Sequence, residues 1–247
     1  MYRKIMYEKY LSSVNVSQDE LEENFNRDVY LQQEIVDTLP KDKSASILDL
    51  GCGYGGFLHT LQKRGYKNLH GVDIGEEQNI FLNSKGLNVS QLDIFEFLKT
   101  DTKTYDLITL FDVLEHFKKD EIVELLPLLK ERLSQKGILI VRLPNGEAIF
   151  KGSIMYGDFT HETYLTKRSM IQLFKTFGFS SVDVYPIYNF GKTFKAKVAK
   201  FIYMSYVKFY KTLLLIDNSA SVEYFVPTQN ILGVIKKWKK QLLKQSI

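Results

Sequence analysis

The amino-acid sequence predicts a doubly wound α/β fold with a mostly parallel, seven-stranded sheet. Short apolar runs rich in strand formers alternate along the chain with segments whose apolar residues have helical spacing. The first run opens directly into a glycine-rich turn, and acidic residues stand at the ends of several runs. Because open parallel sheets bind ligands at the carboxyl ends of their strands, the same observations predict a ligand site at that edge.

The N-terminal part of the chain predicts a helical cap over residues 1–45. Residues 17–39 have apolar residues at helical spacing, with a capping box from Ser17 to Glu20 at the start and Pro40 at the end. Aromatic residues in this cap suit a lid over a bound ligand and equally suit simple packing. They are Tyr7, Tyr10, Phe25 and Tyr30.

The α/β core is predicted to span residues 46–189, with a last strand after an insertion. Helical patterns cover residues 55–64, 76–85 and 119–134, and a further helix begins near Lys167 and ends at Gly178. Strands are predicted near residues 46–50, 69–73, 88–92, 105–111, 137–142, 182–188 and 230–236.

The glycine-rich turn carries the most specific chemistry of the chain. Gly51, Gly53 and Gly56 allow a tight turn, a close approach of the backbone to a ligand and close helix packing. Asp49 stands just before the turn, where a negative charge disfavours a bound pyrophosphate and favours a cationic ligand. Asp73, at the end of the next predicted strand, is placed to bond both hydroxyls of a ribose. The pattern therefore favours a protein that binds a nucleoside with an ammonium group. The alternative is an NAD-dependent oxidoreductase, whose cofactor carries a pyrophosphate.

Together these segments resemble the class I S-adenosylmethionine-dependent methyltransferases, from about Tyr30 to Lys237. Two later runs contribute to the likeness: Tyr105–Phe117, which contains Asp112-Val113-Leu114-Glu115-His116, resembles the fourth-strand signature, and Gly137–Asn145 resembles the fifth strand. The resemblance implies S-adenosyl-L-methionine as cofactor, with the strand-1 acid and glycine loop on its methionyl part, the strand-2 acid on its ribose and the strand-3 segment on its adenine. The implied cofactor-binding residues are Asp49, Gly51, Cys52, Gly53, Gly56, Asp73, Ile74, Asp93, Ile94, Phe111 and Asp112. The lone cysteine, Cys52, is also expected to serve as a small residue in a crowded turn.

The segment Tyr156–Thr166 is rich in polar residues, and in the resembled fold it overlies the reacting end of the cofactor. His161 is the first candidate for a general base toward a hydroxyl acceptor, and His116, preceded by Glu115, is the second. Asp158 is a further candidate, although Asp158 and His161 also suit a purely structural role in the loop. These four residues could in principle bind a divalent metal, but no close spacing such as His-x-x-x-His is present, so no metal is expected. The candidate partners for an acceptor carboxylate or phosphate are Arg3, Arg27 and Arg142.

Charge is unevenly distributed along the chain. Residues 190–247 carry 11 lysines against Asp217 and Glu223, a net +9 in a chain of +4, so residues 1–189 carry −5. Residues 190–229 predict a basic amphipathic insertion, and residues 230–247 a last strand with a basic tail. One helical stripe of the insertion consists of Phe194, Val198, Phe201, Ile202, Phe209, Leu213 and Ile216, which Tyr203, Tyr206 and Tyr210 widen, with Lys192, Lys200 and Lys211 away from it. The insertion could bind an anionic membrane or a phosphate-bearing substrate. It could equally form a homodimer through residues 190–216 or pack on its own domain.

The polar loop and the basic insertion resemble a subgroup of methyltransferases from bacterial surface-polysaccharide synthesis, such as capsule synthesis. That resemblance implies methyl transfer to an oxygen of a small acceptor, a sugar or a sugar-attached group. Three alternatives stay open: another small-molecule acceptor, a nucleic acid, and a cofactor-binding partner protein without catalysis. A nucleic-acid substrate is disfavoured because no RNA-binding module is present. The N-terminus lacks an apolar h-region, and Lys208 and Lys211 interrupt the best late apolar run, so a cytoplasmic location is expected, with peripheral contact to the inner face of the membrane as one option.

Overall fold

The computed structural model describes residues 6, 17–26, 33–188, 190–191, 193–217 and 222–238. A seven-stranded sheet with the order β3-β2-β1-β4-β5-β7-β6 forms its centre. The strands β1 to β5 pair parallel with one another, whereas β7 pairs antiparallel with both β5 and β6. The strands are β1 Ser46–Leu50, β2 Asn68–Asp73, β3 Val89–Gln91, β4 Tyr105–Phe111, β5 Leu133–Pro144, β6 Ser181–Pro186 and β7 Asn230–Lys236.

Helices cover the sheet and fill most of the connections between its strands. In chain order they are α1 Gln18–Asn26, α2 Gln33–Thr38, α3 Gly56–Lys63, α4 Glu76–Ser84, α5 Ile94–Thr100, α6 Lys119–Arg132, α7 Gly152–Tyr156, α8 Lys167–Thr176 and α9 Phe194–Ile216. A single 3₁₀ turn, Leu114–His116, follows β4. The expected seven-stranded, mostly parallel fold is therefore confirmed.

The sheet is buried on both faces, as its near-continuous apolar strands require. In β1, Leu48 and Leu50 belong to the apolar cluster on one face, while Ile47 belongs to the cluster on the other. All three side chains are fully buried. Burial of this central strand on two sides holds the carboxyl end of β1, and the glycine turn that follows it, in a fixed position.

Most predicted boundaries agree with the structure to within a few residues, and two differences have clear causes. Strand β5 begins at Leu133 instead of near residue 137, because Leu133 pairs with Tyr105 before the register shifts. Helix α5 was not predicted; Asp93 begins it by accepting the backbone N–H groups of Phe95 and Glu96 at 2.8 and 3.3 Å.

The N-terminal cap is described only in part. The expected capping box is present, with the backbone N–H of Ser17 bonded to Glu20 Oε2 at 2.8 Å. Phe25 packs against the body of the domain, stacked on His59 with ring centroids 3.9 Å apart, which supports the packing interpretation for this residue. The remaining expected lid aromatics, Tyr7, Tyr10 and Tyr30, lie outside the described residues, as do Arg3, Arg27 and Lys192.

Helix α9 is the predicted insertion before the last strand, and it presents an apolar surface to solvent. Tyr203 and Val207 face the body of the domain: Val207 is buried, and the Tyr203 hydroxyl donates to the Pro227 carbonyl at 2.8 Å. Every residue of the predicted apolar stripe is exposed: Phe194, Val198, Phe201, Ile202, Phe209, Leu213 and Ile216. Within the described part of the chain, no helix combines the length and the hydropathy needed to cross a bilayer.

Candidate active site

Reversal of the strand order places the candidate site next to β1. The chain proceeds outward from β1 to β3 and then returns to β4 on the other side of β1. Connections from the two neighbouring strands therefore diverge at their carboxyl ends, which leaves the crevice where doubly wound folds bind ligands. The segments at this crevice are the glycine turn after β1, the end of β2 and the turn after β4.

The glycine turn adopts a backbone conformation that only glycine enters at low cost. Gly51, Gly53 and Gly55 have φ values of 68°, 50° and 69°. A Cβ on Gly51 would lie 2.4 Å from Cγ2 of Val113, in the turn after β4, whereas a Cβ on Gly53 would meet no atom within 4 Å. The absence of a side chain on Gly51 therefore allows the two turns to lie close together. Gly53 borders open space at the site predicted for the cofactor.

Asp49 lies beneath this turn with a buried carboxyl group. Its side chain is 3% exposed, and Thr109 Oγ1 on β4 donates to Asp49 Oδ1 at 2.6 Å. Burial raises the pKa of Asp49 to about 7, and the Asp73 carboxylate adds to the increase while the Thr109 hydrogen bond opposes it. A cationic ligand at this point would favour the ionised form.

Asp73 is held at the end of β2 by backbone amides. Its two carboxylate oxygens accept the N–H groups of Gly53 at 2.8 Å and of Gly75 at 2.9 Å. Burial raises the pKa of Asp73, and these two hydrogen bonds act in the opposite direction. The neighbouring Ile74 is 37% exposed, an apolar surface beside an oriented carboxylate. This arrangement suits the predicted contact with a nucleoside ribose.

The other predicted cofactor residues occupy more varied environments. Cys52 is buried beside Leu58 and Leu82, as expected for a small residue in a crowded turn, and Gly56 begins α3. Phe111 packs into the core, edge-on to Phe57 with centroids 4.9 Å apart. Asp93 caps α5, and Ile94 belongs to the core. Contacts of these residues with adenine or with the methionyl group stay predictions.

Asp112 and Arg142 form an ion pair across the strand ends. Asp112 has a φ of 57°, unusual for a residue with a side chain. Arg142 Nε donates to Asp112 Oδ1 at 3.0 Å, and a second contact joins Arg142 Nη2 to Asp112 Oδ2. The Arg142 guanidinium is therefore already opposite a carboxylate of the protein, and its contact with an acceptor carboxylate or phosphate stays a prediction.

The turn after β4 and the polar loop after α7 are joined by backbone hydrogen bonds. The carbonyl of Glu115 accepts the N–H groups of Glu162 at 2.8 Å and Thr163 at 3.0 Å. Thr163 Oγ1 also donates to the carbonyl of Phe117 at 2.7 Å. These bonds bring His161 to His116, with ring centroids 4.9 Å apart.

Hydrogen bonds determine the tautomers of both histidines. Thr160 Oγ1 donates its single proton to Asp158 Oδ1 at 2.6 Å, so it accepts from His116 Nδ1–H at 2.9 Å. His161 Nδ1 lies 3.2 Å from the carbonyl of Met155, which can only accept. In the neutral form of each ring Nδ1 therefore carries the proton, and Nε2 carries the lone pair.

Glu115, which precedes His116, is buried in an environment that is unusual for a carboxyl group. Its side chain is 2% exposed, and neither carboxylate oxygen has a hydrogen-bond partner in the described part of the chain. Burial raises the pKa of Glu115, and the Asp112 carboxylate adds to the increase. Burial and the neighbouring His161 lower the pKa of His116, which keeps that ring neutral at pH 7. An imidazole with a lone pair on Nε2 can accept a proton or ligate a cation.

Comparisons with known proteins were decisive for the family. A family model described as a methyltransferase domain matches residues 24–184, about two thirds of the chain. The chain belongs to this methyltransferase family. The expected class, the class I S-adenosylmethionine-dependent methyltransferases, and its cofactor are thereby confirmed.

Individual relatives of this methyltransferase are more distant. EEF1A lysine methyltransferase 2 from Mus musculus is 34% identical over 104 residues, covering 36% of this chain and 41% of the relative, so the match spans less than half of that protein. A SAM-dependent methyltransferase from Archaeoglobus fulgidus has a TM-score of 0.62 at 19% identity, with 92% of this chain and 98% of that chain covered. Phosphoethanolamine N-methyltransferase 2 from Haemonchus contortus, in complex with S-adenosyl-L-methionine, has a TM-score of 0.62 at 13% identity, covering 94% and 60%. At these identities the structures show a shared fold.

Three residues of the site were not found by sequence reasoning. Gly55 has a positive φ, and its signal was a further glycine in an already glycine-rich turn. Thr109 bonds Asp49, and Thr160 links Asp158 to His116. Nothing local distinguishes either threonine from other threonines of the chain, because each acquires its role from a partner on another segment.

Proposed function

We propose that this methyltransferase transfers a methyl group to a hydroxyl oxygen of a small polar acceptor that bears a sugar. The supporting observation is the histidine pair, His116 and His161, beside the glycine turn. Val113 lies against Gly51, and Glu115 and His116 follow it directly in the chain. Groups that can take a proton therefore stand next to the predicted cofactor site.

Bound S-adenosyl-L-methionine supplies a methyl group already activated by a sulfonium. The acceptor oxygen forms a bond to the methyl carbon while the carbon–sulfur bond breaks and leaves its electron pair on sulfur. The hydroxyl proton leaves toward His161 Nε2, which has a lone pair in the tautomer set by Met155. Asp158 and Thr160 position His116 in the same way. The glycine turn and Asp73 hold the donor, so that alignment contributes much of the rate.

Nitrogen is the competing acceptor atom. Two proteins with a related sequence or fold are named a lysine methyltransferase and a phosphoethanolamine N-methyltransferase. A hydroxyl acceptor benefits most from a nearby base, because its proton is held far more tightly than that of an ammonium near neutral pH. The half-buried histidine pair favours oxygen for this reason.

The acceptor atom can be tested with labelled cofactor. The purified chain would be incubated with methyl-labelled S-adenosyl-L-methionine and two acceptor panels: nucleotide sugars and lipid-linked sugars, and phosphoethanolamine with lysine peptides. We expect label in an ether-linked methyl group of a sugar-bearing acceptor, identified by mass spectrometry. Label on nitrogen, with none on oxygen, would overturn the proposal.

We further propose that the acceptor is presented at an anionic membrane surface, as a lipid-linked sugar in bacterial surface-polysaccharide synthesis would be. At 100° per residue, the exposed residues Phe201 and Phe209 lie on the side of α9 opposite Val207, which faces the body. A flank between the two sides carries Lys197 and Lys208, about 80° and 100° around the helix from Val207. A helix with this arrangement can lie in the headgroup region, with aromatic rings inserted and ammonium groups near phosphates.

Vesicle sedimentation tests this surface. We expect the chain to sediment with phosphatidylglycerol vesicles and not with phosphatidylcholine vesicles, and Phe201→Asp with Phe209→Asp to weaken binding at least about tenfold. The matched control is Val123→Asp, because Val123 is 50% exposed on α6. Equal sedimentation of the double variant and the control would overturn the proposal, as would a stable homodimer through α9 in analytical ultracentrifugation. The cytoplasmic location expected from the sequence stays a prediction.

A further inference from the structure

Three potential metal ligands lie together at the acceptor side of the crevice. One ligand atom from each of Glu115, His116 and His161 lies within 4.8 Å of the other two. Two of these residues come from the turn after β4 and the third from the loop after α7. Local sequence spacing did not indicate a metal, because the group forms only when the backbone bonds between Glu115 and residues 162–163 join the two segments.

Hydrogen bonding of the two imidazoles matches the pattern of ligating histidines. Metal-bound histidines usually donate the N–H that does not face the metal to a carbonyl, a carboxylate or another fixed acceptor. His161 donates Nδ1–H to the Met155 carbonyl, and His116 donates Nδ1–H to Thr160, whose hydroxyl is held by Asp158. Both rings are therefore fixed in the tautomer whose Nε2 lone pair can bind a cation.

The buried carboxylate of Glu115 is the independent observation that points to a ligand. A carboxylate that is only 2% exposed and has no hydrogen-bond partner in the described part of the chain is rare, because burial removes its hydration without compensation. Its surroundings include the carboxylates of Asp112 and Asp158, while the nearby Arg142 is paired with Asp112. A bound cation would supply the partner that this buried carboxyl group lacks.

We propose that Glu115, His116 and His161 bind one divalent metal ion, with coordination positions left for the acceptor. Two histidines and one carboxylate form a donor set that suits Zn²⁺ or Mn²⁺, and three protein ligands are typical of sites that keep a position open for substrate. This inference rests on the proposed function, since the acceptor hydroxyl is the group that would occupy the open position.

The metal changes how the hydroxyl is activated. A cation coordinated to the hydroxyl oxygen lowers the pKa of that group, so its proton can leave to a water molecule. The oxygen then forms its bond to the methyl carbon, the carbon–sulfur bond breaks, and the electron pair stays on sulfur. In this scheme His161 is a ligand in place of the base, so the oxygen acceptor of the proposed function is kept and the proton goes to water and not to the His161 ring.

Mn²⁺ binding tests the site without reference to activity. The full chain, treated with a chelator and then dialysed, would be titrated with Mn²⁺ and the unbound ion followed by electron paramagnetic resonance. We expect one tight site per chain, and a loss of affinity of at least about tenfold in His161→Gln and in Glu115→Gln. Zn²⁺ should displace Mn²⁺ from the wild type, because imidazole-containing sites favour Zn²⁺.

A matched control and a folding check make the result unambiguous. His70→Gln is the control, because His70 lies on β2 and bonds Ser90 at 2.9 Å, away from the cluster. Each variant would also be tested for thermal unfolding and for binding of S-adenosylhomocysteine; if Glu115→Gln fails to fold, His161→Gln and His116→Gln decide. The same Mn²⁺ affinity in the wild type and these variants would overturn the metal site.

Activity then distinguishes the two proposals. Undiminished oxygen methylation after removal of metal, with loss of activity in His161→Gln, would overturn the metal site and support His161 as the base. Mn²⁺ binding that depends on Glu115 and His161, with methyl transfer to nitrogen only, would support the metal site and overturn the proposed acceptor.

Discussion

The two sides of the crevice differ in how their buried polar groups are satisfied. On the cofactor side, the protein itself supplies partners: Thr109 bonds Asp49, and backbone amides of Gly53 and Gly75 bond Asp73. On the acceptor side, Glu115 is equally buried and has no hydrogen-bond partner in the described residues. An unpaired buried carboxyl group destabilises the fold, and for this reason we propose that its partner is a bound ligand. The predicted cofactor side thus has its partners within the protein, whereas the proposed metal ion would supply the partner on the acceptor side.

The largest expected effect is a loss of kcat without a loss of cofactor affinity, when a residue of the acceptor side is replaced. His161→Gln should reduce kcat by about 10²- to 10⁴-fold, the usual contribution of a group that activates the acceptor. Affinity for S-adenosylhomocysteine should stay the same, since the partners of His161 are Met155 in α7 and the His116 ring. Steady-state kinetics and calorimetry check this pair of outcomes. A parallel loss of cofactor affinity would mean that the two sides are not independent.

Next in size is the effect of adding a methyl group within the glycine turn. Gly51→Ala should lower the free energy of unfolding by about 2–4 kcal/mol, because it combines a left-handed backbone with a clash against Val113. Gly53→Ala has the same kind of backbone but no clash, so about 1–2 kcal/mol is expected, with weaker cofactor binding. Chemical denaturation measures both. Equal destabilisation would contradict the contact between the two turns.

A smaller effect is expected in how cofactor affinity changes with pH, because Asp49 lies at the predicted cofactor site. Burial raises the pKa of Asp49 to about 7, and the cofactor's ammonium favours the ionised carboxylate. Affinity for S-adenosylhomocysteine should therefore fall below about pH 7, by up to about tenfold per pH unit. Calorimetry between about pH 5.5 and 7.5 measures this dependence, which Asp49→Asn should abolish. The same slope in Asp49→Asn would assign it to another group.

In the unliganded protein the same group affects stability with a defined sign. The folded chain keeps the Asp49 proton up to about pH 7, whereas the unfolded chain loses it near the ordinary aspartate pKa. This contribution to the free energy of unfolding is therefore lost as pH rises from about 4 to about 7.

The smallest expected effect concerns the hydroxyl that links Asp158 to His116. Thr160→Val removes one acceptor and one donor, and a loss of about fivefold in kcat is expected from about 1 kcal/mol of positioning. Thr160→Ser keeps the hydroxyl and should restore activity. Kinetics of both variants, compared with the wild type, measure the difference. An inactive Thr160→Ser would show that packing of the methyl group matters more than the hydrogen bonds.

Sequence reasoning performed well where the signal is local. The positions of β1 and β4, the capping box at Ser17 and the glycine turn all agree with the structure, since each depends on periodicity or backbone conformation within a short segment. It missed α5, because Asp93 was interpreted as part of a strand-3 contact and acts as a helix cap. It also did not anticipate the pairing of Arg142 with Asp112, because these residues lie on different segments of the chain.

The sequence by itself determined a doubly wound, mostly parallel sheet, the glycine turn and the acids at the strand ends, because these follow from the local pattern of residues. Only the tertiary structure decided that Glu115, His116 and His161 meet, and that the apolar stripe of α9 faces solvent. The physical reason is that both results depend on which distant surfaces pack together. Hydrogen bonds between two loops and the burial of Val207 set those arrangements, and neither has a counterpart in the spacing of residues along the chain.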